Sequence, residues 1–127
     1  TPFDFRDAKL LSDGLCGEHR QHTQIALCGG YDHHFAVDDW DGSLRHIATV
    51  SEASSRRFLN VHSTEPGVQL FTANGLDAAQ CGFARHGGLC IEPSYFPDSP
   101  NHAHFPSTRL DAGQTRTGEI VYAFGVR

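Results

Sequence analysis

Short runs of alternating apolar and polar residues recur along this chain, with turn residues between them. The clearest run covers residues 43–51, where period two would put Leu44, His46, Ala48 and Val50 on one face. Six further runs of similar length favour strands over helices. The predicted strands cover residues 24–28, 34–38, 43–51, 58–63, 68–73, 89–95 and 119–124.

The turn residues suggest how these strands connect. Ser54 and Ser55 lie between two predicted strands and indicate a hairpin, and Pro66-Gly67 marks the next turn. Only residues 7–14 offer a helical turn or two. Short strands at regular intervals predict an all-β fold, an antiparallel β-sandwich.

Composition narrows the class of protein further. The 127 residues fit one domain, residues 1–127, and the net charge of −5 with a single lysine, Lys9, argues against nucleic acid as a partner. No apolar run is long enough to cross a membrane, and no signal peptide is recognisable, so we expect a cytoplasmic protein. The four cysteines lack metal-site spacing and are expected to be free thiols.

Glu92 is the leading candidate for chemistry. It follows Leu89, Cys90 and Ile91, an apolar context that is unusual for a carboxylate. Carboxylates buried without a partner cost several kcal/mol or have a raised pKa, as a general base working near neutral pH requires. Period two places Glu92 beside the small side chains of Cys90 and Ser94, which favours a ligand groove.

A second candidate follows the glycine pair of residues 29–30. Asp32 has His33 and His34 directly after it, and its carboxylate suits hydrogen bonds to a polyhydroxy ligand. An equally good interpretation is a turn in which Asp32 caps backbone amides. Gln69 alternates with Phe71, as in many sugar-binding surfaces, but the same pattern fits an exposed strand.

Nine histidines raise the question of a metal site. The candidate pairs are His33-His34, His102 with His104, and His19 with His22, and none has an evident third ligand. We therefore expect no metal and no cofactor. Arg85-His86 can supply hydrogen-bond donors to a ligand or can form a solvated pair.

Several segments together resemble the carboxy-terminal part of the aldose 1-epimerase (galactose mutarotase) family. They are Thr1-Pro2-Phe3-Asp4-Phe5-Arg6, Gly30-Tyr31-Asp32-His33-His34-Phe35, residues 64–72 and residues 92–107. Their order and separation also agree with the family. The resemblance implies a cofactor-free isomerase that interconverts α and β anomers of hexoses, with a fold that is part of a larger β-sandwich.

By motif position, the resemblance implies that Glu92 is the general base and that Asp32 and Gln69 bind sugar hydroxyls. Two departures matter. The family often has Thr-Gln after the base, where this chain has Pro93-Ser94, and no histidine here matches the family's general acid. We expect an absent amino-terminal segment to supply that acid, and we expect the isolated chain to bind that segment or to self-associate. The alternatives are a non-catalytic carbohydrate-binding module and, third, a histidine-rich metal-binding sandwich.

Overall fold

The computed structural model describes all 127 residues. Most of the residues in regular secondary structure belong to β-strands. The six strands have five to seven residues each, and no helix has more than six. The all-β prediction is confirmed. The strands are β1 Asp32–Ala36, β2 Arg45–Ser51, β3 Arg57–Ser63, β4 Gly67–Phe71, β5 Cys90–Ser94 and β6 Ile120–Val126. The helices are α1 Leu11–Leu15, α2 Thr23–Cys28, α3 Ala78–Cys81 and the 3₁₀ turn Ser99–Asn101.

The strands form two three-stranded sheets, with orders β1-β4-β5 and β2-β3-β6. In the second sheet β2 and β3 pair as the predicted hairpin, and β6 joins β3 antiparallel over its whole length. The chain folds into two compact units. The first comprises Thr1–His33 and Leu70–Cys90, and the second comprises His34–Gln69 and Ile91–Arg127.

A β-bulge interrupts β2 between His46 and Ala48. Ile47 is the extra residue, so the alternation of faces reverses there. The prediction that His46 shares a face with Ala48 and Val50 is therefore wrong. Exposure confirms the reversal, because His46 and Thr49 are exposed whereas the side chains between them are half-buried.

The core of the first unit is built around Tyr31, which is 1 % exposed. The rings of Phe3 and Phe5 meet it edge-on, with centroids 6.0 and 5.4 Å away. Its hydroxyl donates a hydrogen bond to the Pro2 carbonyl at 3.0 Å. A Cβ at Gly14 would lie 2.6 Å from the Tyr31 ring, so glycine is what permits this packing.

Residues 24–28 form helix α2, and the strand predicted there is wrong. Its apolar run is short enough to fit either element, and the capping residues decide between them. The His22 side chain accepts a hydrogen bond from the Gln24 amide at the amino end, and Gly29 ends the helix at φ 68°. Ile25 is the one buried residue of the helix.

The second unit has its core on β3 and the turn that follows. Val61 is fully buried, and Ser63 and Pro66 are buried with it. Glu65 is also buried and forms an ion pair with Arg116, which is half-exposed and stacks over the Tyr95 ring 4.1 Å from its centroid. The pairing satisfies a carboxylate that would be costly to bury alone.

Candidate active site

Glu92 lies at the centre of β5 and is exposed. The predicted alternation is confirmed on this strand: Cys90 and Glu92 are exposed, whereas Pro93 is buried on the opposite face. The apolar enclosure expected around this carboxylate is not formed within the chain, because Leu89 and Ile91 lie on the opposite face of the strand and Cys90, on the same face, is exposed. Glu92 is thus accessible to a ligand from solvent.

A side chain on β6 holds the backbone beside Glu92. The Tyr122 hydroxyl donates a hydrogen bond to the Ile91 carbonyl at 2.8 Å, one residue before the carboxylate. On the other side of Glu92, the Ser94 hydroxyl donates a long hydrogen bond of 3.4 Å to the Glu92 carbonyl. The Tyr122 contact joins residues 31 positions apart and gave no signal in the sequence.

Asp32 is the first residue of β1 and is exposed. Its backbone amide donates to His33 Nδ1 at 3.0 Å, so the side chain that follows Asp32 turns back onto the chain. Burial lowers the pKa of His33, and the charges of Asp32 and His22 act on it in opposite directions, Asp32 raising it. His33 packs 4.7 Å from the Phe3 ring. Within the first unit, the exposed Asp32 is therefore followed by a packed His33 whose burial favours the neutral form of its ring.

Gln69 lies at the centre of β4, beside His34 of the same unit. Burial lowers the pKa of His34, and a hydrogen bond with the Gln69 side chain opposes this effect. The His34 ring packs edge-on against Phe96 with centroids 5.4 Å apart, and Gly67 leaves room for it. Nothing in the sequence indicated this role, because a glycine after proline is already explained by a turn at Pro66-Gly67.

Arg85 and His86 bind backbone instead of forming a solvated pair. The Arg85 guanidinium donates to the Gly29 carbonyl at 2.7 Å, and His86 Nδ1 lies 2.8 Å from the Thr72 carbonyl. Both contacts fix loops of the first unit around the glycine pair before Asp32. These contacts give each residue a role in holding main chain, and they place neither residue against a ligand.

The proline-rich loop after β5 is held by its own side chains. Asp98 adopts φ 60° and accepts a hydrogen bond from Asn101 at 2.5 Å, while His102 Nε2 lies 3.2 Å from its carboxylate. The His104 ring meets His102 and Phe105 edge-on, and the His102 ring lies tilted against Phe105. No group of three or more His, Cys, Asp or Glu side chains is placed to hold a metal ion. All four cysteines are free thiols.

Two hollows lie on the β2-β3-β6 sheet and its hairpin. One, of about 280 Å³, is lined by Arg57, Phe58 and residues 124–126, and the other, of about 190 Å³, by residues of the β2–β3 turn and Arg127. Neither is lined by Asp32, Gln69 or Glu92. No helix of the structure has the length and apolar character that crossing a membrane demands.

Comparison with known proteins gives these side chains a family context. The sequence pattern described as Aldose 1-epimerase matches residues 1–123. The chain belongs to the aldose 1-epimerase family. Galactose mutarotase of Bos taurus is 34% identical over 131 residues, and that of Homo sapiens is 33% identical over 132 residues. Aldose 1-epimerase of Escherichia coli (strain K12) is 31% identical over 110 residues.

The two mammalian alignments cover 99% of this chain but 36% of each relative's length. The bacterial alignment covers 84% of this chain and 31% of the relative's length. The chain thus spans about a third of the curated relatives that it matches. The aldose 1-epimerase fold is a β-sandwich, in agreement with the predicted fold class. The roles of Asp32, Gln69 and Glu92 stay predictions.

Proposed function

We propose that this chain carries the catalytic base of an aldose 1-epimerase that interconverts the α and β anomers of hexoses such as galactose and glucose. The observation that carries the proposal is the family match over residues 1–123, which includes an exposed carboxylate, Glu92, at the centre of a strand. Residues 1–127 would then be the carboxy-terminal portion of a mutarotase-like domain. The predicted cytoplasmic location stays a prediction.

In the proposed reaction, Glu92 removes the proton from the anomeric hydroxyl. The O1–H electron pair forms the C1 carbonyl while the C1–O5 bond breaks, and the ring oxygen takes a proton from a general acid. After rotation about C1–C2, the same steps in reverse close the ring on the other face. Protons balance without a cofactor, and an exposed carboxylate can meet the hydroxyl from solvent.

The substrate contacts in this proposal are Asp32 and Gln69. Carboxylate and amide side chains accept and donate the hydrogen bonds that sugar hydroxyls require. Asp32 is exposed at the start of β1, and Gln69 already bonds His34 within its own unit, which fixes the orientation of its amide. Because Pro93 and Ser94 stand after the base where the family often has Thr-Gln, this chain lacks one amide for the sugar.

The general acid is proposed to come from outside these 127 residues. The histidines of the chain that are packed, His33 and His34, have lowered pKa values caused by burial, which makes them poor proton donors near neutral pH. A general acid typically contributes about 10²–10⁴ in rate. We therefore expect the chain alone to accelerate the reaction weakly or not at all.

Strand β6 suggests where such a segment binds. It is an edge strand, and Phe124 and Val126 are 78% and 66% exposed. Exposed apolar side chains on an unpaired edge promote association. We propose that the rest of the mutarotase domain covers this strand. In size-exclusion chromatography the isolated chain should then self-associate and become a defined complex when the segment is added; a stable monomer indifferent to the segment would contradict this.

The test of the function is polarimetry of freshly dissolved α-galactose with the protein supplemented by the segment that its relatives carry before this region. Glu92→Gln should lower the acceleration by about 10²–10⁴. Glu119→Gln is the matched control, since Glu119 is also exposed in the same unit, and it should leave the rate unchanged. Equal rates in both variants would rule out Glu92 as the base. Sugar binding without turnover, unaffected by Glu92→Gln, would favour a carbohydrate-binding module.

A further inference from the structure

A row of polar side chains lies on one face of the β2–β3 hairpin. His46 and Thr49 come from β2, and Asn60 and His62 come from β3. They share a face because Val61, between the last two, is fully buried on the opposite side. All four belong to the second unit, and none is used in the proposed epimerase chemistry.

The bulge at Ile47 is what brings the β2 members together. Residues three apart on a regular strand point to opposite faces, so His46 and Thr49 would normally be separated by the sheet. With Ile47 as the extra residue, His46 Nε2 lies 2.8 Å from Thr49 Oγ1.

Hydrogen bonds along the row determine which nitrogen of His46 carries the proton. The Thr49 hydroxyl donates its one hydrogen to Asn60 Oδ1 at 2.8 Å. Its oxygen can therefore only accept from His46, so His46 Nε2 is the protonated nitrogen. The lone pair is left on Nδ1. This is the arrangement that prepares a histidine as a metal ligand: one ring nitrogen donates to a fixed acceptor and the other is free.

His62 supplies a second imidazole directly across the ladder. It pairs with His46 in the register of β2 and β3, and the two ring centroids are 5.3 Å apart. For tetrahedral zinc, with bonds of about 2.0–2.1 Å and ring centres about 1.1 Å behind the nitrogens, two imidazole centres lie roughly 5.2 Å apart. The rings are edge to face at an interplanar angle of 70°, so binding a shared ion requires the His62 ring to rotate about χ2.

We infer that His46 and His62 form a surface site for a divalent ion of the class that imidazole prefers, Zn²⁺ or Cu²⁺. The two histidines are the protein ligands, Thr49 positions His46 through Nε2, and water fills the remaining positions. With two protein ligands the site is weaker than a structural zinc site, and it would clamp β2 to β3 beside the bulge. The inference is independent of the epimerase proposal.

The first test is calorimetric titration of the protein with Zn²⁺ at pH 7.5. His46→Gln, His62→Gln and the double variant should each lose the same single equivalent of zinc. His104→Gln, in the exposed histidine pair after β5, is the matched control and should keep it. Thr49→Val keeps the branched shape but removes the acceptor for His46, so it should retain the stoichiometry and weaken affinity about ten-fold.

The second test does not depend on any variant folding. Long-range ¹H–¹⁵N spectra of the histidine rings should show the Nε2-protonated tautomer of His46 without metal, and Zn²⁺ should shift Nδ1 of that ring. An Nδ1-protonated His46, the same zinc stoichiometry in His62→Gln as in the parent, or no zinc binding by the parent would each overturn the inference.

Discussion

Substitution of Gly67 by alanine tests the packing beside Gln69. A Cβ at this position would overlap His34 Nε2 and would lie 2.9 Å from both the Phe35 carbonyl oxygen and Phe96 Cε1. Real Cβ atoms do not approach other atoms this closely. The His34 ring therefore has to move out, and it gives up both its burial and its hydrogen bond with Gln69.

The size of the effect follows from two opposing terms. Forcing an extra methyl into a packed site costs about 1–3 kcal/mol. Alanine also reduces the freedom of the unfolded chain, which returns about 0.4–1 kcal/mol. We expect Gly67→Ala to lower the free energy of unfolding by about 1–2 kcal/mol. Since burial is the main cause of the lowered pKa of His34, that pKa should rise toward its ordinary value of 6.5.

Urea denaturation followed by the fluorescence of Trp40, the one tryptophan, measures the stability, and NMR titration measures the pKa. Gly88→Ala is the matched control, because a Cβ there meets nothing within 4 Å. It should leave the protein unchanged or slightly more stable. If Gly67→Ala were as stable as Gly88→Ala, or left the pKa of His34 unchanged, the packing argument would be refuted.

Two further predictions concern the hairpin and the core of the same unit. Val61→Ala should lower the free energy of unfolding by about 2–3 kcal/mol, because it removes two buried methylene equivalents and leaves a cavity. Val126 is exposed, so Val126→Ala should lower it by well under about 1 kcal/mol. Similar shifts of the urea midpoint in the two variants would contradict this. Hydrogen bonds from Ser55 and Ser54 lower the pKa of Glu52 from 4.5 to about 2. The stability that these bonds give is present above pH 4.5 and is lost as the pH falls toward 2. In Glu52→Gln the urea midpoint should therefore depend less on pH over that range. The same pH dependence in the variant and the parent would refute the prediction.

The strand positions show how far local pattern carries a prediction. Alternation located β1 to β6 within about two residues of their observed ends, because period two is set by the backbone of each strand alone. The helix at residues 23–28 was missed since its apolar run is short and ambiguous. A side-chain cap from His22 and a left-handed Gly29, both visible only in three dimensions, select the helix.

At the candidate site, local sequence was enough to indicate which chemical groups are available: Glu92 on the small-residue face of an alternating strand, Asp32 after a glycine pair, and Gln69 within a strand. It also determined the family, through the order of short motifs. These features depend only on residues that are neighbours in the sequence, so they would be the same in any fold in which these segments are extended.

Which of these groups are exposed, and which contacts hold them in place, depends on the tertiary fold. Glu92 is exposed although its sequence neighbours are apolar, and the Tyr122 hydroxyl that steadies its strand comes from 31 residues away. The bulge at Ile47 reversed the faces of β2 and created the His46–His62 pair. The reason is that a bulge, a register and a cross-strand hydrogen bond depend on which distant segments pair, and no local alternation contains that information.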